Sequence, residues 1–290
     1  MAAPTRLARE CSAQTVWPGG DPMNRRDFLI TAGAVASSTL IRSRGMLASE
    51  QTAHAAEAPD TKLVEDLIAA NRVLADQGIL DAYGAVSVRH ARVANRFLLS
   101  RSLAAELVTA ADILEYDFAG EPLDPAAARV STPERYIHSE IYKVRPDVQC
   151  IIHCHTPSLI PFGVTRVPLR PLYHMSYFIA QGVPVYEIRD AGGITDTFVR
   201  DARLAKALAQ VLGDKPAVLQ RGHGAVIVGD SIIAAVGRSV YLDLNARLQT
   251  DAMALGGAIT YLDPEEARKR DAPNVYDRAW ELWKRKANAR

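Results

Sequence analysis

Gln149-Cys150-Ile151-Ile152-His153-Cys154-His155-Thr156-Pro157 decides how the rest of the chain is read. Its apolar start has the character of a buried strand, which runs into His-x-His and stops at Thr-Pro. In a strand, residues i and i+2 point to the same face. His153 and His155 can therefore present two imidazoles to one point, as a single metal ion requires. The competing reading is two unrelated histidines at a strand end, one packed and one exposed. Cys154 points away from both histidines. Cys150 shares its side but lies too far along the strand for an easy disulfide, so both read as small buried residues.

Two other stretches bear on the metal reading. Upstream lies Ser131-Thr132-Pro133-Glu134-Arg135. Ser131 or Thr132 can cap a helix, Pro133 fits its first turn, and Glu134 falls in that turn. Downstream lies Gln220-Arg221-Gly222-His223-Gly224-Ala225-Val226. A histidine between two glycines, joining two apolar runs, sits on a tight turn where backbone can come close to a ligand. Glu134, His153, His155 and His223 then form a divalent-metal set, with the carboxylate as ligand or proton carrier. The alternative for Glu134 is a carboxylate that only complements the helix dipole.

Glu134, the His-x-His after it, and the later His-Gly turn resemble the class II aldolase/adducin family. Arg145-Pro146-Asp147 and Gly84-Ala85-Val86-Ser87-Val88-Arg89 are similar to its other landmarks. The resemblance spans residues 61–257. It implies an α/β fold, a three-layer α/β/α arrangement around a largely antiparallel sheet. It also implies zinc, with manganese or iron as alternatives, held by His153, His155 and His223, with Glu134 as a further ligand and the acid/base. A small-molecule substrate and a ring-like homotetramer with its pocket between subunits go with that family.

Departures from the sugar-phosphate aldolases of the family narrow the chemistry. Their phosphate loop has a Thr-Gly pair; in Ser100-Arg101-Ser102-Leu103, a leucine stands where the glycine would be. The serine pair before their catalytic glutamate becomes Thr132-Pro133, and proline has no N–H to offer. An early Gly-Asn turn becomes Gly84-Ala85. Three changes together argue against a phosphorylated sugar. Arg101, flanked by Ser100 and Ser102, instead offers a planar fork suited to a carboxylate; a surface arginine is the alternative. The proton-donating tyrosine of those aldolases has no clear counterpart, and its position falls near Met175.

The segments His153-Cys154-His155-Thr156-Pro157-Ser158-Leu159 and Pro171-Leu172-Tyr173-His174-Met175 are most similar to the family's decarboxylase branch. That branch includes 2-hydroxy-3-carboxymuconate semialdehyde and 3,4-dihydroxyphthalate decarboxylases. The resemblance implies CO₂ loss from an ortho-hydroxy aromatic or hydroxymuconate-type acid through a metal-stabilised enolate, with Glu134 delivering a proton. Tyr173 and His174 are expected to shape the pocket or relay protons. His138, one helical turn after Glu134, is expected to orient it. The runner-up is an aldolase for a non-phosphorylated hydroxy acid; from another class comes an adducin-like binding module with a dead site. Fold alone does not choose among them.

With 290 residues, 48% of them hydrophobic, the chain can bury one large core, expected over residues 61–290. Lys+Arg 34 against Asp+Glu 33 leaves no basic excess for nucleic acid. Asn24-Arg25-Arg26-Asp27-Phe28-Leu29 and the apolar run after it read as a twin-arginine export leader over residues 1–55, with a periplasmic destination. That run is too short for a membrane span.

Elsewhere, periodicity predicts a helix over 61–77, a hairpin from strands at 83–90 and 97–100, a short helix at 110–112 and a strand at 113–118. A loop is expected over 120–130 and a helix over 133–144. Residues 161–177 read as irregular, 185–188 as a strand and 190–193 as a loop. Asp196 or Thr197 is expected to cap a helix ending at Leu212. A long helix is expected over 231–255, and a polar, helical end over 264–290 with Tyr276, Trp280 and Trp283 on one side. His90, at a strand end, is expected to face water.

Overall fold

In the computed structural model, residues 59–270 and 272–289 are described; the leader expected over residues 1–55 lies outside them. Among the described residues, seven strands form one sheet: β1 (Ala85–Arg89), β2 (Arg96–Ser100), β3 (Ile113–Asp117), β4 (Cys150–Cys154), β5 (Val185–Tyr186), β6 (Ala217–Gln220) and β7 (Gly224–Gly229). Their order is β3-β2-β1-β4-β7-β6-β5. Every pairing is antiparallel except β5 with β6. The quoted stretch is the central strand, β4, flanked by β1 and β7.

Among the described residues, eight α-helices accompany the sheet: α1 (Thr61–Asp76), α2 (Arg135–Val144), α3 (Ile160–Val164), α4 (Ile188–Gly192), α5 (Ala202–Leu212), α6 (Ile232–Ala254), α7 (Pro264–Arg270) and α8 (Asp277–Asn288). Alternation along the strands separates two cores. Cys150, Ile152 and Cys154 pack with Leu67 and Leu74 of α1, Val236 and Leu242 of α6, and Trp280 and Trp283 of α8. Ile151, Phe97, Leu99 and Val226 pack on the other face with Ile137 and Ile141 of α2 and Leu204 and Leu208 of α5. The result is the expected three-layer α/β/α architecture. Covered on both faces, β4, β6 and β7 are buried throughout, which is why they read as almost unbroken apolar runs.

The stretch expected to be irregular over 161–177 is so only in its middle, between α3 and a 3₁₀ turn over His174–Ile179, and α6 satisfies the backbone there. Asn245 accepts from Leu172 N–H and donates to Arg170 O; Gln249 accepts from Arg170 N–H and donates to Pro168 O. Such pairing is what a buried non-repetitive segment requires. Cys150 and Cys154 are buried free thiols. No helix among the described residues is long and apolar enough to cross a membrane.

Several local expectations need correction. α5 is capped by Asp201, which accepts from Leu204 N–H, and not by Asp196 or Thr197. Residues 125–130 wind into a 3₁₀ turn, residues 188–192 are helical, and the strand at 185 is only two residues long. His90 is buried, not solvated: its Nδ1 accepts from Arg92 and Val93 N–H, closing the β1–β2 turn. A turn with two unpaired donors needs an acceptor, and the imidazole supplies it.

Candidate metal centre

Four elements bring the ligand set together. β4 carries His153 on the face that packs against α2, and His155 follows the strand directly. Glu134 is the residue preceding α2 and occupies its N-cap position, so the helix starts two residues later than the expected Pro133 and neither Ser131 nor Thr132 caps it. His223 lies in the three-residue loop between β6 and β7, whose ends pair at Gln220 and Gly224. Gly222 takes φ +66 in that loop, a conformation glycine adopts without cost. Gly224 has a separate reason: a Cβ there would overlap the Cys154 carbonyl. Only glycine lets β7 close on the end of β4 and set His223 beside His155.

The donor atoms converge. His155 Nε2 lies 3.2 Å from His153 Nε2 and 2.9 Å from His223 Nε2. His153 Nε2 is 3.1 Å from Glu134 Oε2, and His223 Nε2 is 3.4 Å from Oε1. All four ligand atoms fall within 4.8 Å of one another. A tetrahedral zinc with bonds of 2.0–2.1 Å separates its donors by roughly 3.3 Å. Three imidazole nitrogens and a carboxylate packed this tightly, with Glu134 Oε1 buried and making no hydrogen bond, fit a divalent cation. His223 is oriented by Nδ1, 3.0 Å from Thr197 O. Thr197 holds that carbonyl in place at φ +68, a strained setting for a β-branched residue.

Electrostatics tie the four groups to one another. Burial works against charge on Glu134, but His153 and His223 outweigh it and hold the carboxyl well below the usual carboxylate range. Burial likewise disfavours charge on His153, and Glu134 reverses this, raising its pKa above the ordinary histidine value. His155 is brought down to about 4, by burial first and then by His153 and His223, so its lone pair is free at neutral pH. His138 does not orient Glu134 by a hydrogen bond. It is fully buried, its Nδ1 is 2.7 Å from Ser87 Oγ, and its Nε2 makes no hydrogen bond. Burial and His153 lower its pKa to about 3.

A cavity of about 350 Å³ opens beside Glu134 and His155. Ser100, Arg101 and Ser102 line it together with Thr132 and Pro133, so the three predicted substrate-binding residues do adjoin the cluster. Arg101 Nε donates to Asp112 Oδ1 at 2.6 Å. Asp112 in turn accepts from the Thr109 hydroxyl and backbone N–H, and these bonds with Arg101 lower its pKa to about 2. Among the described residues, the two terminal amino groups of Arg101 make no hydrogen bond, leaving one edge of the fork open. Two walls were not foreseen: Tyr83, 70% exposed, has its ring 6.4 Å from that of His155, and the Phe198 ring meets His223 edge-on at 5.4 Å. Tyr83, expected to open the first strand, lies in the loop before β1, and Phe198 lies in the loop before α5. Tyr173 and His174 do not line this cavity within the chain. Tyr173 packs near Met175 and Tyr241, and His174 is exposed.

Comparison with known proteins follows the same lines. Residues 65–250 match the family described as Class II Aldolase and Adducin N-terminal domain. The chain is 34% identical over 247 residues to the decarboxylase tropJ of Talaromyces stipitatus, covering 77% of this chain and 92% of that protein. It is 29% identical over 209 residues to a 3,4-dihydroxyphthalate decarboxylase of Arthrobacter keyseri, covering 67% and 80% respectively. The L-fuculose 1-phosphate aldolase of Glaciozyma antarctica superposes with a TM-score of 0.65 at 23% identity, covering 79% of this chain and 89% of that one. At that identity the likeness is one of fold.

Proposed function

The chain belongs to the class II aldolase/adducin family, and on that premise we propose that it is a carbon–carbon lyase: a divalent-metal-dependent decarboxylase of an ortho-hydroxy aromatic or hydroxymuconate-type acid. The observation that carries this reading is the three-histidine, one-glutamate cluster at the edge of a cavity that also holds Arg101. The decarboxylase relatives support the reaction class.

Zinc is our first choice of ion, held by His153, His155, His223 and Glu134. When bound, it supplies the positive charge that stabilises the negative charge left as CO₂ departs. Arg101, fixed through Asp112, binds a substrate carboxylate, with Ser100 and Ser102 adding hydroxyl contacts. Tyr83 and Phe198 flank a planar ring and keep water from it. Glu134, ionised at rest, takes the proton of the ortho hydroxyl. The carbon–carbon bond to the carboxylate breaks, its electron pair stays on carbon, and Glu134 returns the proton there. Solvent then restores the hydroxyl. In a homotetramer, His174 and Tyr173 reach the pocket of a neighbouring chain and relay protons there.

The test is direct. Purified protein, analysed for bound metal, is given ortho-hydroxy aromatic and hydroxymuconate carboxylates, and CO₂ is measured. Release of CO₂, lost on Glu134→Gln, is expected. Pyruvate or an aldehyde from hydroxy acids, with no CO₂ from any carboxylate, would sink the proposal in favour of an aldolase. Light scattering on the same preparation tests the tetramer: a monomeric mass removes Tyr173 and His174 from the mechanism.

A further inference from the structure

His153 is the most enclosed imidazole of the cluster, 1% exposed. Its Nε2 faces the other ligands, and its Nδ1 faces the sheet. There it meets two groups: the Gln220 side-chain amide nitrogen at 3.0 Å and Ala225 O at 3.3 Å. Gln220 closes β6, is 3% exposed, and its Oε1 is buried without a hydrogen bond.

As the amide is turned, its NH₂ suits a ring with the lone pair on Nδ1 and the proton on Nε2, directed at Glu134. A ring that offers Nε2 to a cation carries its proton on Nδ1 instead. Two N–H groups would then face each other at 3.0 Å, with only the longer contact to Ala225 O as relief. A half-turn of the amide removes the conflict. Oε1 then accepts from Nδ1–H, and the oxygen without a partner acquires one. Amide oxygen and nitrogen are nearly equal in size, so the turn needs no repacking.

We propose that Gln220 is a positioning residue that sets the tautomer of His153, its side-chain oxygen accepting from Nδ1–H so that Nε2 is presented to the metal. The proposal rests on the reading of the cluster as a metal site and goes beyond it by assigning a residue that touches neither metal nor substrate. An acceptor behind a ligating histidine raises its basicity and fixes its ring, and losing one weakens metal binding by about 10–100-fold.

The experiment compares Gln220→Met and Gln220→Glu with the wild type, using zinc alone as the probe. Dissociation constants are read by competition with a chromophoric chelator, and thermal midpoints of the metal-free proteins control for folding. Gln220→Met, similar in length but with no acceptor oxygen, is expected to bind zinc about 10–100-fold more weakly. Gln220→Glu, which can only accept, is expected to bind at least tenfold more tightly than Gln220→Met. A merely structural glutamine predicts no such rescue. Equal affinity of Gln220→Met and wild type, or of the two variants, overturns the proposal while leaving the metal site standing. Failure of the wild type to bind zinc overturns both. A neutron structure of the zinc-loaded wild type needs no variant: the deuterons of the Gln220 amide are expected to point away from Nδ1, and deuterons facing it overturn the assignment.

Discussion

Arg101 and Asp112 show how one ion pair shapes a cavity wall. Bound through Nε alone, the guanidinium is fixed in plane while its outer edge stays open. Asp112→Asn should therefore act on binding more than on turnover: KM for the carboxylate rises about tenfold and kcat changes little, as steady-state kinetics would show. The same carboxylate leaves a mark on stability. Its pKa is depressed in the folded chain, to about 2, so its contribution is complete above the ordinary value near 4 and vanishes as pH falls through about 2. Urea midpoints should show a wild-type advantage over Asp112→Asn that is full at pH 5 and shrinks steadily between pH 4 and 2. An advantage that persists at pH 2 would contradict this account.

Among the elements, the β6–β7 hairpin has the tightest constraint. His223 reaches the other ligands only because Gly224 packs its bare Cα against the backbone of Cys154 and His155. Gly224→Ala forces the strand end outwards. A loss of about 1–3 kcal/mol in stability is expected from such overpacking, read from chemical denaturation, together with loss of metal binding. Retention of both would mean that β7 has slack the packing does not show. The hairpin also marks what can be read from residues alone. A His-Gly step between two apolar runs announces the turn and its histidine. Nothing in the run Thr195-Asp196-Thr197-Phe198 announces that Thr197 lends its carbonyl to His223 or that Phe198 faces the cavity. Asp196 and Thr197 resemble a helix start, yet Asp201 has the same chemistry and the better position. Local capping rules cannot rank two acceptable caps five residues apart.

At the scale of the whole molecule, the gathering of Glu134, His153, His155 and His223 was legible, and so was the Ser100–Ser102 wall of the cavity, but the rest of the cavity was not. Each ligand sits in a short, recognisable setting, and the alternation of β4 fixes which face receives them. The cavity depends on loops from distant parts of the chain, among them Tyr83, Arg101 and Phe198, whose meeting is a property of the closed sheet. Metal uptake is the matching global observable. Glu134 raises the pKa of His153, so the metal-free protein retains a proton that a cation must displace. Affinity should rise as pH increases through that raised value and level off above it. Calorimetric titrations in buffers of different ionisation enthalpy should report net proton release near neutral pH. Chelation should lower the thermal midpoint, because the ion binds only the folded arrangement.

The alternation along β4 also sorts donors by hardness. Its two sulfurs turn towards the α1 and α6 layer while its imidazoles turn towards α2, with a strand's thickness between them. An ion arriving at the cluster meets nitrogen and oxygen alone. Thiophilic intruders such as cadmium or copper(I) gain nothing from cysteines that are neighbours in sequence but inaccessible in space. One pleat thereby gives the centre a bias against soft ions, with no residue devoted to excluding them.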